Sequence, residues 1–413
     1  MLSTLKKTTF EEIIILLTLL CYFVYFPVQS IGPIHITTPL FFALIVFVAI
    51  SVLISLLKGP RYILNVYWQP DYWPLYLYAF FLLINIGYAI SPVYAAKWTM
   101  KYYLIVLFVF YFFRKRQSFE FFCKALPRLG VFSALLLFVY MGLWRNIQPF
   151  YNNTVASMLV GPAPHIIALG LIYAFLRSSN RLTGWRLCYF ALLFAALILW
   201  GSRSILIATL VGLFAAFFMW KHRYKWRLFS GIVVVLLMII LFMSIGHIFG
   251  DMPVLKKYSL MPLSHAFWQS PNIQTRANLW AMGLHAWQAH PWLGVGAGNF
   301  PFIPFYNFIN THDVDMLTLL SQHKDVHNLI IQLLCEQGVI GIVLFFVIVV
   351  KAVAYQIRGL WRGDEVYQML FCFTLYMLSY SLMSVVFDVK HFLLLMLPLV
   401  SSYLIYHYES TEK

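Results

Sequence analysis

Charge is what this chain has least of. Only 10% of its 413 residues are charged and the mean hydropathy is +0.80, whereas a soluble domain carries roughly 25% charged residues. Water is thereby excluded as the solvent for most of the surface. The five cysteines, Cys21, Cys123, Cys188, Cys335 and Cys372, all fall outside the long polar gap between about Gly250 and Val326. A disulfide framework and thiol chemistry are therefore not expected. A small-x-small cleavage site is also missing: Pro27 and Gln29 follow the first apolar run, so that run is expected to be a span and not a cleaved leader. Repeats of fixed period are absent, and the only compositional bias is apolar.

What the chain does have is 62% hydrophobic residues, arranged in runs. A spanning helix needs about 20 mostly apolar residues, and about twelve such segments can be placed. They are Ile13 to Phe26, Leu40 to Leu57, Trp73 to Ile90, Trp98 to Phe113, Leu129 to Leu143, Val155 to Leu176, Trp185 to Trp200, Ile205 to Trp220, Leu228 to Phe249, Asn328 to Val350, Tyr367 to Val386 and Phe392 to Tyr408. The expectation is an all-α integral membrane protein in three parts: spans one to nine over 1–249, one large loop over 250–326 with short amphipathic helices, and spans ten to twelve with a short tail over 327–413.

A net charge of +15 would suit nucleic acid, but its distribution argues against that. The basic groups Lys6 and Lys7, Lys58 and Arg61, Arg114 to Arg128, Arg177 to Arg186, Lys221 to Arg227 and Lys351 to Arg362 fall on one side of the twelve-span arrangement. The opposite short loops hold Lys97, Arg145, Arg203 and Lys390. By the positive-inside bias both termini are cytoplasmic and the 250–326 loop faces outward. The basic excess is a topology signal, with membrane lipids and not nucleic acid as the neighbour.

A loop of that length in a helical bundle is where chemistry is expected. Within it Thr275 to His290 has helical spacing, with Arg276, Trp280, Gly283 and Trp287 on one face and Pro291 as the stop. Trp280 and Trp287 suit packing or an interface, while an arginine at the start of such a helix suits a lipid phosphate. Gly294-Val295-Gly296-Ala297-Gly298-Asn299 resembles a phosphate cradle, yet no βαβ unit surrounds it, and a tight glycine turn is the better account. His323-Lys324-Asp325-Val326-His327-Asn328 is the strongest chemical cluster. Its histidines stand one helical turn apart without a certain third metal ligand, so a metal site is not expected, and the readings left are a single imidazole acting as a base or an incidental polar residue at the membrane interface. Glu336 is a carboxylate within an apolar span, open to structural pairing or substrate contact. Gly338 and Gly341 are spaced for close approach of helix backbones. Gly201-Ser202-Arg203-Ser204 is a minimal outward turn, and Asp388 sits in another beside Lys390 and His391.

The order Arg276, Leu279-Trp280, His290-Pro291-Trp292-Leu293-Gly294-Val295-Gly296, His327-Asn328 and Gly338-x-x-Gly341 is similar to the signature region of the O-antigen ligase and polymerase family. Gly201-Ser202-Arg203 resembles the short outward loop in which that family carries a functional arginine. The resemblance runs from about Trp200 to Ile342, and the span count and length agree with the ligase branch. It implies a GT-C-like, metal-independent and cofactor-free glycosyltransferase at the periplasmic face of the inner membrane. The donor would be a glycan on undecaprenyl pyrophosphate, and the acceptor a sugar hydroxyl of lipid A-core. The carried-over residues are Arg203, Arg276 and His327, with Asp388 at a family acidic position. His327 would act as general base, and Arg203 and Arg276 would hold the pyrophosphate. Asn328, His323, Asp388 and Trp280 are the further expected substrate contacts. A polymerase or another oligosaccharyltransferase would share the donor and differ in acceptor. A transporter would normally carry its polar features near the bilayer midplane.

The loop-by-loop charge asymmetry predicts that a cysteine introduced at Asn310 is labelled by a membrane-impermeant reagent from outside, while one at Ser179 is not. The opposite labelling would invert the topology.

Overall fold

The computed structural model describes residues 10–23, 39–147, 163–177, 184–200, 202–219, 271–303, 325–384 and 389–411, and all regular structure among them is helical. In chain order the helices are α1 (Phe10–Phe23), α2 (Pro39–Leu57), α3 (Pro60–Tyr67), α4 (Trp73–Tyr88), α5 (Pro92–Phe112), α6 (Arg116–Ile147) and α7 (Ala163–Leu176). They continue with α8 (Gly184–Trp200), α9 (Arg203–Met219), α10 (Pro271–Ala289), α11 (Leu329–Trp361), α12 (Glu365–Ser381) and α13 (Val389–Thr411). Each expected span has a helix except the ninth, Leu228 to Phe249, which lies outside the described residues. Among the described residues four stretches, Pro92–Phe112, Arg116–Phe138, Leu329–Trp361 and His391–Ser410, are long and apolar enough to cross a membrane.

One boundary moves for a clear reason. The basic segment Arg114 to Arg128, expected as a loop, is largely the first turns of α6. Phe119, Phe122, Cys123 and Leu126 are buried there at i, i+3, i+4 and i+7, the spacing of an inward helical stripe. Apolar burial along that stripe outweighs the charge on the other face.

The bundle interior is aromatic and interlocked by polar contacts. Tyr78, Tyr102, Tyr367, Tyr376, Tyr403, Phe108 and Phe345 are fully buried. Gln356 Nε2 on α11 donates to Thr374 Oγ1 on α12 and to Ser402 Oγ on α13, both at 2.8 Å. Such interhelical bonds hold helices together where lipid removes the hydrophobic drive. Leu53, Leu56, Phe80, Leu83, Val343, Phe346 and Val350 face outward, an apolar exterior suited to lipid.

Helix α12 links two ends of different character. At its N-terminus, the cap residue Asp364 accepts from Val366 N–H and pairs with Arg116, which also reaches Glu120 at 3.0 Å and Glu409 at 3.2 Å. Glu365 pairs with Arg177. Acidic groups at a helix N-terminus are favoured by its dipole, and this cluster gathers residues from three of the basic and terminal segments at one end. The 17 residues of α12 then span about 25 Å to the opposite end, where the candidate site lies.

The most consequential local feature is a break in α11 at Gly338, with φ 65° and ψ −166°. Only glycine adopts that conformation readily. The loop after α10 docks into the break: Val295 and Gly296 donate their N–H groups to the carbonyls of Cys335 and Glu336, both at 2.9 Å, and Val339 and Ile340 donate to Pro291 and Trp292 at 2.8 and 3.2 Å. Gly338 therefore serves a loop insertion, while a Cβ at Gly341 would meet Gln337 and Phe81 of α4, the close helix approach expected from the spacing. A Cβ at Gly338 would collide with the backbone of Trp292, and one at Gly294 with that of Glu336 and Gln337.

Gly338→Ala is expected to destabilise the purified protein by on the order of 3 kcal/mol, combining backbone strain with the collision. Gly87→Ala, where a Cβ meets nothing within 4 Å, should be neutral. Thermal unfolding of the two variants side by side checks this.

Candidate functional site

Three elements distant in sequence meet at the C-terminal end of α12. A helix end leaves carbonyls without intrahelical partners, and here side chains supply the donors. Ser204 Oγ, one residue into α9, donates to Met383 C=O at 3.3 Å. Arg276 Nη1, from α10, donates to the same carbonyl at 3.0 Å. Asn328 Nδ2, at the start of α11, donates to Leu382 C=O at 3.0 Å. A guanidinium at a helix C-terminus is also favoured by the dipole. Arg203, which opens α9, is the neighbour of Ser204. The convergence therefore brings the Arg203 backbone, Arg276 and His327-Asn328 to one corner of the protein.

His327 is the one non-glycine among the described residues with positive φ, 58°. Such a conformation costs on the order of 1–3 kcal/mol and persists only where the surroundings over-determine it. The neighbours on both sides do so. Val326 N–H donates to Gln332 Oε1 at 2.7 Å, and Val326 C=O accepts from Trp280 Nε1 at 3.1 Å. On the other side Asn328 is the N-cap of α11, its Oδ1 accepting from Ile330 and Ile331 N–H at 3.0 and 3.2 Å. His327 itself is half-buried.

The glycine-rich loop is excluded as a phosphate cradle by its own hydrogen bonds. Each amide from Gly294 through Phe300 donates within the protein: to His290, Cys335 and Glu336 carbonyls, to the Asn85 side chain, to Glu336 Oε2, to Gly296 C=O and to Glu336 Oε1. Gly294, Gly296 and Gly298 all have positive φ, in agreement with a tight turn. Glu336, almost fully buried, accepts from Gly298 N–H at 2.8 Å, Phe300 N–H at 3.2 Å and Gln332 Nε2 at 2.6 Å. Of its two expected roles, structural pairing is the one observed. Leu279, Met282, Ala286, Val295, Phe300, Ile303, Val326 and Cys335 form a small apolar core beneath this corner, apart from that of the bundle.

A family model described as O-Antigen ligase matches residues 188–346. This region is consistent with an O-antigen ligase-type family. No curated protein matches the chain. The match points to a membrane enzyme of O-antigen assembly, glycosyltransferase-like, with ligase- or polymerase-type activity on glycan and lipid substrates.

The matched region contains Arg203, Arg276, Trp280, His323, His327 and Asn328, while Asp388 falls beyond it. His323 and Asp388 lie outside the described residues. Trp280, expected as a substrate contact, binds the Val326 carbonyl with its indole N–H and so braces the His327 segment. Sequence reasoning missed the end of α12 as the meeting point, because carbonyls of Leu382 and Met383 carry no residue-type signal. It also missed Gln332, although a glutamine one turn before a buried glutamate is a legible hint.

Asn328→Ala is expected to cost about 1–2 kcal/mol through loss of the α11 cap. Asn328→Asp should recover the cap but not the bond to Leu382, where carboxylate faces carbonyl. Unfolding midpoints ordered wild type, then Asp, then Ala would bear this out, and an equal loss for both would assign the whole effect to the α12 contact.

Proposed function

We propose that the chain is a lipid-linked glycan glycosyltransferase of the ligase kind. It would transfer O-antigen polysaccharide from undecaprenyl pyrophosphate to a sugar hydroxyl of lipid A-core. The observation that carries this reading is the convergence of α9, α10 and the start of α11 on the Leu382–Met383 carbonyls, which gathers the family-matched residues at one end of the bundle.

In this reading His327 takes the proton from the acceptor hydroxyl. The hydroxyl oxygen attacks the anomeric carbon from the face opposite the leaving group, and the bond from that carbon to the pyrophosphate oxygen breaks. Its electron pair departs with undecaprenyl pyrophosphate, and the anomeric configuration inverts. Arg203 and Arg276 balance the charge on the leaving group, each able to grip two phosphate oxygens and neither able to lose its own charge. Two guanidinium groups in that position do the work that a divalent ion does in other pyrophosphate chemistry. Asn328, Trp280, His323 and Asp388 complete the substrate contacts.

The membrane arrangement proposed with it has twelve crossings, cytoplasmic termini and the 250–326 catalytic loop in the periplasm. Its support is the separation along α12: the ion-paired basic segments sit at one end and the candidate site at the other. An O-antigen polymerase shares the donor and every group described, and differs in the acceptor. Deleting the gene distinguishes them, since a ligase defect leaves lipid A-core without polymer and a polymerase defect leaves a single repeat unit on it.

His327→Ala is expected to lower transfer 10²- to 10⁴-fold while donor affinity stays near wild type, because a base acts in the transition state. Arg203→Ala and Arg276→Ala should weaken donor binding as well as turnover, with Lys restoring part of each. Donor affinity and initial rates on folded protein, in excess chelator, provide the measurement. Near wild-type turnover in His327→Ala would refute the base assignment and make His323 the next residue to test.

A further inference from the structure

We propose that Glu336 is a positioning residue for His327, acting through Gln332 and the backbone of Val326. The proposal rests on His327 being the base. Glu336 lies nine residues from His327 in sequence and does not adjoin it, but a directed chain of hydrogen bonds joins them. Gln332 Nε2 donates to Glu336 Oε1 at 2.6 Å, and Gln332 Oε1 accepts Val326 N–H at 2.7 Å. A glutamine amide has one donor end and one acceptor end. Fixing the donor on a carboxylate therefore compels the acceptor to face Val326. Without Glu336 the amide is free to turn over and present a donor to the Val326 N–H, which would repel it.

The same carboxylate accepts from Gly298 and Phe300 N–H, so it ties two structures to one point: the loop docked in the α11 break and the turn that holds His327. Glu336, Gln332 and Val326 are 1%, 3% and 0% exposed, which shields the chain from competing water. Trp280 grips Val326 from the carbonyl side. With both its N–H and its C=O held, Val326 fixes the direction from which the backbone enters His327, and the positive φ of His327 then sets where the imidazole points. A base displaced by about 1 Å loses on the order of a hundredfold in rate, so the relay acts on turnover and not on donor binding.

The test uses the full chain in lipid nanodiscs, with undecaprenyl-pyrophosphate-linked glycan and lipid A-core as substrates. Gln332→Leu leaves Glu336 its two loop amides and cuts only the link to Val326. It should lower kcat between tenfold and about a hundredfold, keep donor KM within roughly twofold of wild type, and speed hydrogen exchange of the Val326 amide. Glu336→Gln puts a donor among donors and should behave alike. The double variant Glu336→Gln with Gln332→Glu presents a carboxylate acceptor to Val326 again, with the new amide at position 336 as donor to that carboxylate, and should recover much of kcat. The loss in kcat at unchanged KM, with faster Val326 exchange and an unchanged unfolding midpoint, is what separates positioning from mere stabilisation of the fold. Should the Glu336 variants fail to fold, Gln332→Leu decides the matter, with unfolding midpoints taken in parallel. A kcat for Gln332→Leu within twofold of wild type, alongside an inactive His327→Ala, overturns the positioning role and leaves the base assignment standing. Retained turnover in His327→Ala overturns both, and that variant alone tells the two failures apart.

Discussion

A helix that breaks inside a membrane protein leaves backbone groups with no water to satisfy them, and the break in α11 at Gly338 sets the terms for what surrounds it. Two carbonyls and two amides around the break are answered by the loop from Pro291 to Gly296. The loop can lie that close only because Gly338 and Gly294 leave no Cβ in the way. Once the loop is docked, its remaining amides must also be satisfied, and the Glu336 carboxylate inside the same helix accepts two of them. A carboxylate is costly to bury unless several donors surround it. Here the break creates those donors, so break, loop and acid are one unit.

The second organising element is α12, whose two ends are capped by opposite chemistries. Acidic residues and their basic partners hold its N-terminus, while donors from Ser204, Arg276 and Asn328 hold its C-terminus. Both arrangements follow the helix dipole. Residues scattered over more than a hundred positions of sequence are brought together because one helix end needs donors, and the Arg276 guanidinium is held by the same need.

Strain at His327 adds a further cost, borne by the contacts on Val326 and Asn328. The strained residue lies within the stretch matched by the O-antigen ligase family model.

The membrane character, the helices that correspond to most of the expected spans, and the likeness of the 200–342 region to the O-antigen ligase type were legible in the sequence. Hydropathy is a local sum, and motif spacing is carried along the chain itself. The helical start at Arg116 was hidden because charge masked the buried stripe of Phe119, Phe122, Cys123 and Leu126. The meaning of Gly338 was hidden because glycine at helical spacing suits both close packing and a break. Only the tertiary structure decided between them, and only it placed Met383 beneath Arg276 and Gln332 between Glu336 and Val326. Those contacts are backbone and amide hydrogen bonds, and several join segments far apart in the chain. Backbone donors and acceptors are the same in every residue type, so no pattern of side chains announces which will meet.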